Sequence, residues 1–549
     1  SALSGPSTTG RQQPRLPARV PLDSMALVFD EVAKECPEWA KECLSSIATS
    51  EYEAAMKLAR ESFEAACKKK DTKGKVYALL IIAKVHLGLG ELYDAKEIAE
   101  KALDVLGKGN DAKLEAAVMH TLAKVSLKMC KFSQALEVAE QASGMFSNSG
   151  SKAGEAAVLS TLAEAHLAAQ KKQEALKVAK QAVAIFKDTN EKLGEASALE
   201  TTVKIHLNMK RYEEALRAAN EVVGIYQGGD DTAKMGAALL LVSDVRKAMG
   251  EPGEAEEVAS KAVELFEDVM DKRGQAMALR KLADTCFANN NQTDGWTYVK
   301  EARDLCASVG NKRGEASALC QIAAAHVNLG SFEEGGHIAE EGIKICREED
   351  YKEDLANILW TVADGHMAEI MAGAAGPRES HLNWMARKKG KEALALYQHL
   401  GNLAGEVKCL NVLSMAFISY GNVAEGKAKA KSAVQIAKEM EDKEAEGLNL
   451  LLVAQARLYD NRDEALRLAR LAEKLLKESG TADEIKGAEE VVEFIRDFER
   501  TGGKKDKEAK IKLSDVQSEK TDITGDLEFG KVRKCYFHCF TARLARASR

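Results

Sequence analysis

The feature that most constrains this chain is a spacing. A small residue recurs as Ala83, Ala123, Ala163, Val203, Ser243, Ala283, Ala323 and Ala363, forty residues apart each time. A second series, Ala95, Ala135, Ala175, Ala215, Ala255, Gly295 and Gly335, runs twelve residues behind it. The segments 81–103, 121–143, 161–183 and 202–223 align on these positions without gaps. Eight units in register point to a repeat architecture, in which no unit buries its apolar face alone and each stacks on its neighbours. A chain of 549 residues then need not divide into several globular domains. Two further units follow near Ser414 and Val453, a degenerate one precedes with 52–66 as its second helix, and 484–498 reads as a capping helix.

Each unit reads as two helices. Leu79, Ile82, Ala83 and His86 fall at i, i+3, i+4 and i+7, and Ala95, Ile98, Ala99 and Ala102 form the matching stripe of the second helix. Hydrophobic residues make up 45% of the chain but aromatics only 5%, so small side chains let the helices approach closely. Of seven prolines, four lie in residues 1–25, which leaves long helices uninterrupted. The junctions between units carry Gly74, Gly154, Gly194, Gly274 and Gly314, read as helix stops or tight turns.

A Leu–small pair with an Ala twelve residues on, as in Leu122-Ala123 with Ala135 and Leu162-Ala163 with Ala175, resembles the tetratricopeptide repeat (TPR) family. The unit exceeds that family's usual length of about 34 residues. It is similar to the extended TPRs of LGN-type spindle-orientation proteins, kinesin light chains and MalT-type regulators. The resemblance covers roughly residues 40–500. It implies an all-α, TPR-type α-solenoid, a right-handed superhelix of antiparallel helix pairs whose first helices line a concave, partner-binding groove. The inward-facing set it implies is Lys84, His120, Lys124, Lys128, Glu164 and Lys204 in an early, mainly basic part, then Asp244, Arg280, Asp284, Phe287, Trp360 and Asp364. A peptide with an acidic end is the expected occupant beside Lys84, Lys124 and Lys128. The resemblance does not extend to TPRs that clamp chaperone tails, which expect Asn where Lys84 and Lys124 stand.

One unit breaks the spacing. From Ala363 to Ser414 is 51 residues, eleven more than the repeat, and the excess falls between the two helices in 372–392. There a Gly/Pro loop precedes Trp384 and the basic run Arg387, Lys388 and Lys389. Insertions in solenoids map to loops on one face, often the binding face. Trp384 with Arg387 and Lys388 is therefore a candidate partner anchor; the alternative is a tolerated loop with Trp384 packed on its own helix.

The search for chemistry yields little. His86, His166, His206, His326 and His366 share one repeat position. Equivalent helices of adjacent units stand about 8–10 Å apart, whereas a zinc ligand atom lies about 2.0–2.1 Å from its ion. These histidines read as packing residues. Cys535, His538 and Cys539 lie within five residues, but no second ligand pair of suitable spacing stands nearby. No phosphate loop, dinucleotide fingerprint, zinc-helix motif or nucleophile elbow is present. The expectation is a non-enzyme with no catalytic residue, no metal and no cofactor.

Net charge is −7 but unevenly placed: residues 1–25 carry +2, residues 501–549 carry +5, and the body between them −14. An acidic body disfavours wholesale nucleic-acid binding, which needs many cations against phosphates. No run reaches the roughly 18 apolar residues of a membrane span. Eleven scattered cysteines read as reduced, core-type thiols of a cytoplasmic protein. The expected plan is a disordered or targeting leader (1–25), a degenerate helical repeat (26–73), the solenoid (74–480), a capping helix (481–500) and a basic, largely disordered tail (501–549). The leader leaves organelle targeting open as the alternative location. The expected role is a protein-binding scaffold or adaptor. A ligand-binding sensor subunit and an RNA-associated repeat protein are the competing readings.

Overall fold

The computed structural model describes residues 37–48, 52–107, 111–227, 232–289, 291–458, 461–480 and 482–502. The leader, the tail beyond Gly502 and the Cys535–Cys539 group lie outside these residues. Over the described residues the chain forms 23 α-helices, one 3-10 turn and no strand. Ten helix pairs begin at Thr72, Ala112, Lys152, Lys192, Thr232, Lys272, Lys312, Lys352, Leu403 and Lys443. Glu38–Ala48 and Tyr52–Lys69 precede them, and Ala482–Gly502 follows. No described helix is long and apolar enough to cross a membrane.

The two helices of a unit are buried differently, and this sets the curvature. The first helix Thr72–Leu89 buries a continuous run from Val76 to Val85, because other helices surround it. The second helix Leu92–Leu106 buries one stripe, Leu92, Ala95, Ala99, Ala102 and Leu106, and leaves its charged face to solvent. Neighbouring first helices touch along the array, whereas neighbouring second helices make no comparable contact. The first helices therefore lie on the inside of the curve. Several N-caps hold the junctions: Asp71, Asp111, Asp271, Asn311 and Asn402 each accept the backbone N–H three residues on.

Two expectations are corrected here. The recurring junction glycines are not helix stops. Gly74, Gly154, Gly194, Gly274 and Gly314 each stand third in a first helix. A Cβ at Gly194 would lie 2.3 Å from the Phe186 ring, and one at Gly274 2.3 Å from Phe266. At Gly154, Gly194 and Gly274 the glycine makes room for a Phe ring of the preceding helix, and at Gly74 and Gly314 for the capping Asp71 and Asn311 side chains. The left-handed residues that end the helices are others, including Gly90, Gly150, Asn190, Met270 and Gly310.

The excess at 372–392 is not mainly a loop either. The first helix of that unit runs Lys352–Met371, three residues longer than Lys312–Asn328. The connection is 372–378, with a 3-10 turn at Gly376–Arg378, and the second helix runs Glu379–Leu400. Extending a helix adds one backbone hydrogen bond per residue, so the extra length is mostly ordered as helix.

Seven units on, the solenoid meets itself. Lys352 pairs with Glu91 at 2.9 Å, and Ser133 donates to Glu441 at 2.9 Å. Arg313 binds Asp354 at 2.6 Å and also donates to the Gly88 carbonyl at 3.2 Å. The Tyr93 ring leaves no space for a side chain at Gly401. Turns of the early units thus rest on turns of the late ones along a mostly polar seam. Removing one partner of a buried charged contact strands the other. Arg313→Ala is expected to open the seam and raise the radius of gyration measured by small-angle scattering. An unchanged scattering profile at low and high salt would contradict the seam.

Candidate functional site in the concave groove

The inner face is a ladder of side chains that link consecutive first helices. His120 Nε2 lies 2.8 Å from Thr161 Oγ1. Lys204 pairs with Glu164 at 3.5 Å, and Lys281 pairs with Asp244 at 2.9 Å. Arg280 Nε donates to Gln321 Oε1 at 3.0 Å, and Gln321 Nε2 donates to Asp284 at 2.6 Å. The partners stand about one unit apart because the first helices converge on the inside of the curve.

That convergence alters the expected basic face. Lys84, His120 and Lys124 are 4%, 3% and 9% exposed, so they do not form an open, solvated patch. Burial, then the charges of Lys124 and Lys84, push the His120 pKa well below its ordinary value. Lys128 and Lys204 are exposed, and Lys204 is engaged by Glu164.

The structure brings Arg280, Asp284, Phe287, Trp360 and Asp364 together around one cavity of about 600 Å³. What is missing explains the space. The unit between them carries Cys320 where its neighbours have Arg280 and Trp360, and Ala324 where they have Asp284 and Asp364. Ala325 and Ser317 widen it further. Sequence reasoning looked for charged and aromatic side chains and passed over this unit; its signal was the run of small residues in an inward register. Gln321, which holds both Arg280 and Asp284, and Asn357, which accepts from the Tyr397 hydroxyl at 2.6 Å, were missed as well.

The cavity has a polar wall and an apolar one. Burial raises the Asp284 pKa, opposed by Lys247, the Gln321 amide and Arg280. Phe287 and Trp360 supply the apolar side. Lys408 lies 5.0 Å from the Trp360 ring, and the buried Trp360 Nε1 has no hydrogen-bond partner. A ligand that offers a donor to Asp284 and an apolar group to the Phe287 and Trp360 rings suits this lining.

The aligned histidines are packing elements. The Nδ1 atoms of His166, His206 and His326 are buried without a partner, and the His326 ring lies tilted against Trp296, their centres 4.2 Å apart. His86 lies within reach of Glu91 and Asp94, a geometry that could hold an ion. Lys352 already binds Glu91 and would repel a cation there. At the insertion, Trp384 is exposed, Arg387 covers the rings of Tyr420 and Phe417, and Lys388 stands over Trp384.

Antiparallel helix pairs at a forty-residue spacing, with first helices lining a groove, define a TPR-type α-solenoid. This chain is a TPR-type repeat protein. The family model described as "Anaphase-promoting complex subunit 5" matches residues 41–129, 195–249, 293–364 and 405–462, which together fall just short of half the chain. No curated protein matches in sequence. Among solved structures, yeast Tom70 is similar at 14% identity and a TM-score of 0.44, covering 86% of this chain and 98% of its own. A Rap protein complexed with competence and sporulation factor is similar at 14% and 0.40, covering 75% and 98%. The TPR-like repeats of a Podosopora anserina putative kinesin light chain are similar at 20% and 0.32, covering 36% and 97%.

Proposed function

We propose that this chain is a non-catalytic adaptor whose concave groove holds a peptide or protein segment, with one side chain seated in the cavity between Asp284 and Trp360. The observation that carries this reading is the cavity itself. It lies on the inner face, is about 600 Å³, and is lined by the desolvated Asp284 carboxylate together with the Phe287 and Trp360 rings. Preformed helices present such a surface without ordering cost on the receptor side. The four stretches that match a complex-subunit family support a role inside an assembly. The enclosure of Lys84 and Lys124 moves the centre of recognition away from the early units, although Lys128 remains exposed to an acidic end.

The test is selection of peptides from a random display library against the intact chain, followed by calorimetry. Asp284→Asn and Trp360→Ala are each expected to weaken selected peptides by about tenfold or more. Affinities unchanged in both variants would remove the cavity from the binding mechanism. A cavity of this volume also suits a small ligand, since such sites span about 300–1,000 Å³. Thermal stabilisation by a metabolite set, with no peptide selected, would favour the sensor reading instead.

A further inference from the structure

The break in the repeat builds a second surface, separate from the groove. The helix Glu379–Leu400 buries Leu382, Ala386, Lys389 and Ala393 along one stripe, so Trp384, Lys388 and Lys391 point outward. Trp384 is 49% exposed. Tyr420, in the turn of the next unit, is 57% exposed. Large exposed hydrophobic side chains are few among the described residues, and each of these two carries a cation on its ring.

Consecutive cations of one helix face the two rings. The Arg387 guanidinium lies 4.4 Å from the centre of the Tyr420 ring, and Lys388 Nζ 5.1 Å from that of Trp384. Lys391 Nζ stands 5.6 Å from the buried Phe417 ring. Among the described residues no ion pair engages Arg387, Lys388 or Lys391. Their neighbours are paired: Arg347 with Glu392 at 2.6 Å, Lys389 with Glu340 at 2.6 Å, and Arg378 with Glu333. In a body carrying −14, carboxylates are plentiful, so three cations left on aromatic faces are a distinct arrangement. A ring fixes the position of a cation while leaving outward N–H donors free.

We propose that Trp384, Arg387, Lys388, Lys391 and Tyr420 form a docking surface for an acidic segment of a partner protein. Charge complementarity selects the occupant. The chain's own C-terminal tail carries +5 and is repelled, and the acidic body around the patch repels an extended polyanion such as RNA. A short acidic segment with an aromatic residue satisfies the cations and covers both exposed rings. Because Tyr420 comes from the following unit, the surface exists only when the two units are stacked.

The experiment uses the full chain and a fluorescein-labelled peptide of Asp, Glu and Phe, followed by fluorescence anisotropy. Saturable binding that weakens with salt is expected. Trp384→Ala should weaken it about tenfold, and Lys388→Glu with Lys391→Glu should abolish it. Asp284→Asn should leave it unchanged, which separates this surface from the groove. These side chains are exposed, so matching unfolding midpoints will show that the variants fold. Absence of peptide binding, or binding indifferent to Trp384 and Lys388, would overturn the proposal. Tighter binding of polyuridine or of phosphatidylserine vesicles at the same residues, or a self-association lost in Trp384→Ala, would overturn it in favour of that occupant.

Discussion

Gly194→Ala is expected to lower the unfolding midpoint, although it places a better helix former in a helix. Alanine gains about 1 kcal/mol over glycine in a helix interior. Against that, the new methyl would lie 2.3 Å from both Cδ1 and Cε1 of Phe186, a ring only 1% exposed and enclosed by its neighbours. Overpacking a close-packed site costs about 1–3 kcal/mol. The steric term wins, with a net loss of up to about 2 kcal/mol. Gly144 supplies the control. It is exposed, sits within the helix Phe132–Asn148, and has nothing within 4 Å of its missing Cβ. Gly144→Ala should stabilise by about 0.5–1 kcal/mol. The same chemical change is thus expected to have opposite signs at two positions of one chain. Combining Gly194→Ala with Phe186→Leu should cost less than the sum of the single changes, because the shorter side chain vacates the contested space. Urea unfolding followed by circular dichroism reads all of these. Equal effects of alanine at Gly144 and Gly194 would show that the glycines do not serve the packing described.

The glycines also show where sequence reasoning stops. A period of forty residues is carried by Ala83, Ala123, Ala163 and their successors, so the helix pairs and the side facing the groove could be read directly. The purpose of the junction glycine could not, because helix end and close approach select the same residue type. Only the position of the Phe186 and Phe266 rings separates the two. The inner register placed Arg280, Asp284, Phe287, Trp360 and Asp364 in one set, and these five side chains line one cavity. It could not say that Lys84 and Lys124 would be enclosed, because register gives direction and not distance to the neighbouring turn. The seam is less legible still. Glu91 and Lys352 stand 261 residues apart, and their contact depends on superhelical pitch summed over seven units. No local pattern encodes that sum.

Lowering the pH from 7 to 5 is expected to destabilise the solenoid through its histidines. Five histidines inside the array, His120, His166, His206, His326 and His366, all have pKa values held below the ordinary value of 6.5, with burial the largest cause in each. His366 is lowered to about 4, by burial first and then by the charges of Lys389 and His381, with Glu340 opposing. The folded chain keeps these rings neutral, while the unfolded chain protonates them near 6.5. Below that value the unfolded state therefore binds more protons, and stability falls with pH. For His366 the loss runs from about 6.5 down to about 4, at up to about 1.4 kcal/mol per pH unit for each such proton. The contribution is fully present above pH 6.5. Because the histidines are spread over several units of an array stabilised by nearest neighbours, the loss is distributed along it. Thermal unfolding at pH 7, 6 and 5 should show a progressive fall in midpoint. His366→Phe puts a non-titrating ring at this position and should flatten the pH dependence by one proton, while nuclear magnetic resonance should place the His366 titration near 4. A midpoint that does not move between pH 7 and 5, or a His366 ring that titrates near 6.5, would refute the assignment of these histidines to the packed interior. If the dependence holds, the packed histidines, four of which share one repeat position, contribute to the acid lability of the fold.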